Sequence, residues 1–293
     1  MVASKRAKKH HFVPKVLQKE FCNTPNKIWY SEKNLSNGFS KPELRNIEST
    51  FRIRDYYTVF VGGRASDMVE REFYGKVDDY LGKLIPDVLS TFARKEVPIF
   101  SGNALRSVQR VVFEMIKRTP DFVKKHDEIE IGREIVEREL ATLSDEVESE
   151  LRRSELTQEL QSEAALRMLG RTVRVRACIA RSKKIDDALK DFHVRWAISE
   201  SKHSFVLSSL IAYRIGNGGS NGLVNPMMEI WMPISPKVAL VLLRDPDGRV
   251  PNRIAIDRDK IRQVNEYAYR NCNQLGAHSE ELLSSIVSNL SAM

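Results

Sequence analysis

Cysteine is scarce: Cys22, Cys178 and Cys272 are widely spaced and odd in number. With no Cys-x-x-Cys pair, neither a disulfide framework nor a zinc ribbon is supported, and this usage fits a reducing cytoplasm. Long hydrophobic runs are missing too. The longest, "VALVLL" at 238–243, is strand-length and far too short to cross a bilayer. The charged N-terminus lacks an apolar h-region, which argues against a secretory signal. Several catalytic signatures are also absent: there is no Walker A loop, no G-x-G-x-x-G after a strand, no H-E-x-x-H and no G-x-S-x-G. "GNGGSNG" at 216–222 lacks the lysine and following helix of a phosphate loop, so it reads as a flexible turn.

What the chain does have is apolar bulk and positive charge. Of its 293 residues 42% are hydrophobic, enough for a substantial core and too many for global disorder. The length suits one large domain or two of ordinary size. A formal net charge of +8 favours polyanionic partners, nucleic acid first among them, through long-range attraction. Lys5, Arg6, Lys8 and Lys9 form a basic tail over residues 1–9 and are candidate phosphate contacts.

From residue 10 to 293 the patterning suggests a single domain. Phe12, Val13, Val16, Leu17 and Phe21 suit a short helix with Pro14 in its first turn. "NKIWYSE" reads as a strand. Val69, Phe73, Val77, Leu81, Leu84 and Val88 recur at helical spacing after a Ser66-Asp67 cap signal. Leu105, Val108, Val112, Met115 and Ile116 mark another helix, which Pro120 closes. The stretch at about 121–163 reads as a charged helical insertion. Its seam of Val136, Leu140, Leu143, Val147 and Leu151 suits a solvated helix or helical hairpin over 126–163, or a surface for a protein partner.

The helix at about 164–181 has apolar residues on two faces, Val173 and Ala177 among them. Its remaining stripe carries Arg167, Arg171, Arg174 and Arg181. Such a row can fork onto phosphates, or it can pair with carboxylates of the acidic helix before it. After Asp191 come short segments rich in Val, Ile, Trp and Phe, read as antiparallel strands. Helices at 260–273 and 279–290 close the chain. The fold class expected is α+β, mostly helical, with a C-terminal cluster of short antiparallel strands.

His10 and His11, followed by Val13 and Pro14, match the H-x-x-P part of an HNH-type nuclease opening, where an imidazole acts as general base beside a metal. The second half of that motif fails, because the next histidine is His126. A structural role is the preferred reading for His193 and His203.

Several segments, taken in order, resemble the family called domain of unknown function (DUF) 4238. They are the opening "HHFVPKVLQKEF", the strand "IWY", the helix "VEREFYGKVDDY", the "RTP" of Arg118, Thr119 and Pro120, the segment "FVLSSLI", "PISP" at 233–236, and the helix "IRQVNEYAYR". Three positions depart from the family pattern: Ser209 stands where Asp is usual, Ile211 where Pro is usual, and Asp78 where Glu is frequent. The resemblance implies that His10, His11, Arg118 and Ser208 meet in one pocket. It also implies that Ser209→Asp restores a functional pair at little cost in stability. A cluster of buried polar residues with a purely structural role is the alternative.

Together these readings lead to an expected phosphodiesterase-type nuclease acting on RNA or DNA, compatible with bacterial defence or toxicity. His11 would be general base or acid, and His10 its partner or a ligand for a divalent metal. Arg118 would hold phosphate charge, and Ser208 would orient substrate. A non-catalytic module binding nucleic acid or protein is the competing expectation.

Overall fold

Pro14 decides where the first helix starts. Its ring fixes φ at −52°, and with ψ at 136° it stands just outside α1 (Lys15–Glu20), which follows the short strand β1 (Lys9–His11). The computed structural model describes residues 9–34, 38–61, 64–122, 127–142, 154 and 157–291. Lys5, Arg6, Lys8, His126 and the seam residues Leu143, Val147 and Leu151 lie outside the described residues.

Downstream of α1 come β2 (Lys27–Glu32), β3 (Glu43–Asn46), β4 (Arg52–Arg54), β5 (Val59–Val61) and β6 (Arg64–Ser66). A π-helical stretch, Val69–Tyr74, leads into α2 (Gly75–Ala93), and α3 (Gly102–Lys117) follows. Then come α4 (Glu128–Thr142), α5 (Glu163–Ile179) and α6 (Lys183–Leu189). The chain divides into two compact units. One gathers residues 1–10, 54–76 and 123–180, and the other 11–53, 77–122 and 181–293.

In the first unit α4 and α5 touch backbone to backbone. A Cβ on Gly132 would lie 2.1 Å from the Leu166 carbonyl oxygen, and one on Gly170 only 1.8 Å from that of Glu128. No larger residue fits either position without moving a helix. This crossing sets the ion pairs. Glu128 takes Arg171 at 3.2 Å and Arg174 at 3.1 Å, while Arg167 pairs with Glu163 on its own helix at 2.8 Å.

The arginine row therefore does not point outward as a unit. Arg174 is 5% exposed, donates to the Tyr56 carbonyl at 2.8 Å and lies over the Tyr56 ring, whereas Val173, expected on a buried face, is 43% exposed. The carboxylate on α4 explains the reversal, since a buried guanidinium needs a paired charge more than a valine needs burial. Arg181 lies beyond the helix end, exposed.

The second unit holds two sheets. The last third of the chain supplies β7 (Phe192–Ser199), β8 (Leu207–Ser208), β9 (Tyr213–Ile215), β10 (Glu229–Pro233), β11 (Val238–Arg244) and β12 (Arg253–Ile256). It ends with α7 (Arg258–Asn271), β13 (Gln274–Ala277) and α8 (Glu280–Ser291). The larger sheet has the order β12-β7-β11-β10-β9. Its inward face meets Leu81, Ile85 and Val88 of α2 and Val108 and Val112 of α3, with Trp196 fully buried at the centre. The Trp196 indole donates to the Pro98 carbonyl at 2.8 Å. Truncating such a residue to alanine costs about 3–5 kcal/mol.

Most pairs in this sheet are antiparallel, but β12 runs parallel to β7. That corrects the expectation of antiparallel strands throughout. The loop after β11 crosses to the far side of β7 because Asp245 anchors it. The Asp245 carboxylate takes Arg195 from β7 at 2.7 Å and the backbone N–H groups of Arg249 and Val250 at 2.9 and 3.1 Å.

The smaller sheet has the order β3-β2-β13-β8, antiparallel at each pair. Here β13 from the end of the described chain inserts between β2 and β8, in a stretch that periodicity marks only as a gap between helices. Gly276 permits it: a Cβ there would meet Ile28 at 2.6 Å and Phe51 at 3.2 Å. Helices and strands are thus mixed in the fold. Among the described residues no helix is long and apolar enough to cross a membrane.

Candidate active site around His11

The opening segment is held from below by apolar packing. Phe12, Val13, Leu17 and Phe21 are fully buried, and Phe12 stands edge-on to Phe51. Between them Gln18 is buried but satisfied: it donates to the Val13 carbonyl at 2.9 Å and accepts from Thr50 at 2.7 Å. This rigid base fixes the backbone of His11, whose ring sits half-buried above it.

His11 Nε2 lies 3.2 Å from the Ile47 carbonyl oxygen. A carbonyl can only accept, so Nε2 carries the proton and Nδ1 keeps the lone pair in the neutral ring. Burial is the main cause that lowers the His11 pKa below its ordinary value; Lys15 and Arg52 push the same way, against the Ile47 hydrogen bond and Glu48. The ring is therefore neutral at pH 7, with Nδ1 as a base.

Its neighbours are charged. Lys15 Nζ lies 2.6 Å from both Glu48 oxygens. The hydrogen bond from Lys15 is the largest cause that holds the Glu48 carboxyl below its usual range. Glu48 is placed by the turn after β3, where Asn46 accepts from the Glu48 N–H at 2.9 Å. Lys15, Glu48 and Arg52 are not singled out by any sequence motif. Lys15 opens the helix four residues after His11, which is a usable signal, but nothing local points to Glu48 or Arg52.

Arg118 reaches the same segment from the end of α3. It is fully buried, pairs with both oxygens of Asp78, and donates to the His11 carbonyl at 2.8 Å. Its guanidinium is thus engaged with protein groups instead of facing solvent.

Ser208 stands elsewhere. It pairs with Leu275, which pairs with Ser31 near one end of β2, whereas Ile47 bonds to Asn26 beyond the other end. Across the sheet that is three strand spacings, roughly 14 Å, and along β2 roughly 17 Å. Ser208 is buried, and its Oγ has no hydrogen-bond partner among the described residues. Its neighbour Ser209 is the connected one: its Oγ donates to Asp121 and accepts from the N–H groups of Asn273 and Gln274 at 3.0 and 3.1 Å.

His10 belongs to the other unit. It is fully buried, its Nδ1 accepts from the Tyr57 N–H at 2.9 Å, and its ring stacks on Tyr57. Those contacts suit a structural ring. Lys9 is exposed on β1. Among the described residues no group of three or more His, Cys, Asp and Glu side chains is arranged to hold a metal ion.

No curated protein and no solved structure matches this chain. One family model does, over residues 9–280, nearly the whole length and including every element around His11. The chain therefore belongs to the family described as protein of unknown function (DUF4238).

Proposed function

We propose that the protein is a phosphodiesterase-type enzyme, a nuclease acting on RNA or DNA, with His11 as its general base. One observation carries this reading: the Nε2–H of His11 is tied to the Ile47 carbonyl, which leaves Nδ1 as an unprotonated acceptor in the positive field of Lys15 and Arg52. Nδ1 would take the proton of the attacking water or ribose hydroxyl as that oxygen bonds to phosphorus, the P–O bond to the leaving sugar oxygen breaks, and the leaving oxygen takes a proton from water. Arg52 would hold the phosphate, whose charge grows in the transition state, and Lys15 would join it by exchanging its Glu48 partner for the phosphate. Arg118 is a positioning residue here, acting through the His11 backbone. His10 and Ser208 have no part in the step, and the net charge of +8 favours a polyanionic substrate.

The second reading is a non-catalytic nucleic-acid- or protein-binding module. It is favoured by the engagement of Arg118, Arg171 and Arg174 with carboxylates of the protein itself.

The test is to incubate the purified chain and His11→Asn with mixed RNA and DNA, in chelator and in divalent metal. Asparagine keeps polarity and rough size but takes up no proton near neutrality. The enzyme reading expects a rate loss of roughly 10²–10⁴-fold with little change in melting temperature. Binding without cleavage by either protein supports the module instead.

A further inference from the structure

A groove of about 270 Å³ opens between α7 and α8, remote in sequence from the His11 segment. That is just below the roughly 300–1,000 Å³ range for drug-sized ligands and suits a smaller molecule. Its apolar lining is Ile261 of α7 with Leu282, Ile286 and Leu290 of α8, interspersed with Ser285 and Asn289. Arg258 and Arg262 line it from α7 and supply positive charge, and His203 lines it from the loop after β7. Lys237 holds that loop by donating to the His203 and Ser201 carbonyls at 2.9 and 2.8 Å. Among the described residues lining the groove, Glu266 is the sole carboxylate, and Arg270 holds it at 2.5 Å.

A second observation points to a ligand. Ser204 lines the groove at 3% exposure, and its buried Oγ has no hydrogen-bond partner among the described residues. Its carbonyl, by contrast, accepts from Asn265 at 2.9 Å. An orphaned buried hydroxyl is costly unless something arrives to bond it. Arg262 is exposed, and no ion pair is formed by it among the described residues. Exposed guanidinium charge, apolar side chains and an unmet hydroxyl thus line one groove.

We propose that the groove between α7 and α8 binds a small amphipathic acid, a single carboxylate on a short apolar body. The carboxylate would lie against Arg262, with Arg258, which also pairs with Asp259 at 3.2 Å, beside it. Ser204 would turn about χ1 to bring its Oγ, sealed from solvent as it stands, into the groove and donate to the carboxylate. The apolar body would displace water from Ile261, Leu282, Ile286 and Leu290.

Octanoate serves as the probe, with octylamine and inorganic phosphate as controls, titrated calorimetrically into the full chain. Saturable one-to-one binding of octanoate is expected, with none of octylamine, and phosphate should bind far more weakly. Arg262→Gln should weaken octanoate by about tenfold or more, the factor for removing one charge-assisted hydrogen bond. Since Arg262 is exposed, this variant keeps the fold, and a matching melting temperature verifies it. Ser204→Ala should also weaken binding, which a hydroxyl with only a structural role would not do. Equal binding of octanoate and octylamine overturns the proposal, as does unchanged affinity in Arg262→Gln. Concentration-dependent dimerisation through the groove, abolished by Ile286→Glu, would assign the apolar lining to a second copy and overturn it as well.

Discussion

Arg118 is wholly buried, while Asp78, which takes both its terminal nitrogens, keeps a third of its side chain at the surface. The pair therefore ties an exposed point on α2 to the backbone of His11. Removing the carboxylate strands a buried guanidinium. Asp78→Asn is expected to lower stability by about 3 kcal/mol, the lower end for breaking a buried pair, read as the midpoint of urea unfolding. Any catalytic rate should fall with it while the acid limb of the rate profile stays in place. An unchanged midpoint would show that the pair does not hold this segment.

The His11 pKa is lowered in the folded chain, chiefly by burial. The unfolded state then binds the proton more readily, so this contribution to stability is full above the ordinary histidine pKa of about 6.5 and is lost as pH falls through the folded value. His278 is lowered as well, again mainly by burial, and adds to the same acidic window. His11→Asn is expected to flatten the stability profile below pH 6.5, and His11→Asn with His278→Asn to flatten it further. A profile in His11→Asn as steep as in the parent chain contradicts the assignment.

The family pattern implies that Ser209→Asp is well tolerated. The structure gives the opposite expectation, because Ser209 Oγ donates to Asp121, and an aspartate there would set two carboxylates together. The cost should be roughly 1.5–3 kcal/mol, the range for a hydrogen bond to a charged group. It should shrink near pH 4, where one carboxyl takes a proton. Thermal melts at pH 4 and pH 7 distinguish this from a simple steric cost, which would not depend on pH.

Nucleic-acid affinity should fall steeply with salt, but Arg171 and Arg174 should not set the slope. Both are held by Glu128. Replacing them with glutamine is expected to cost stability and leave the slope intact. Replacing Lys5, Arg6, Lys8 and Lys9 with glutamine should lower it by about one unit for each phosphate that is no longer neutralised. Anisotropy titrations between 50 and 200 mM salt measure both, and a flattened slope in Arg171→Gln would return the row to the interface.

Local spacing reveals the elements whose partners are simply apolar. Leu81, Val88, Val108 and Val112 lie where their three-to-four period puts them, and the strands at 192–199 and 238–244 answer to their Val, Ile and Trp content. The strand at 274–277 is illegible because so short a segment, with Gly276 packed against Ile28 and Phe51, has no alternation to read. The facing of Arg174 and Val173 is hidden for another reason: periodicity reports only apolarity, and Glu128 outweighs it. Around His11 the histidine itself is visible, but the Ile47 carbonyl that selects its tautomer is a backbone atom and leaves no mark in a sequence.

The insertion of β13 between β2 and β8 has a consequence for synthesis. Until residues 274–277 emerge, β2 keeps one edge open to any strand that approaches, with its row of N–H and C=O groups unpaired. At about 5–20 residues per second the wait between the two strands is on the order of 10–50 s. The smaller sheet is thus completed only once residues 274–277 are made, and the nascent chain carries an adhesive edge throughout that interval.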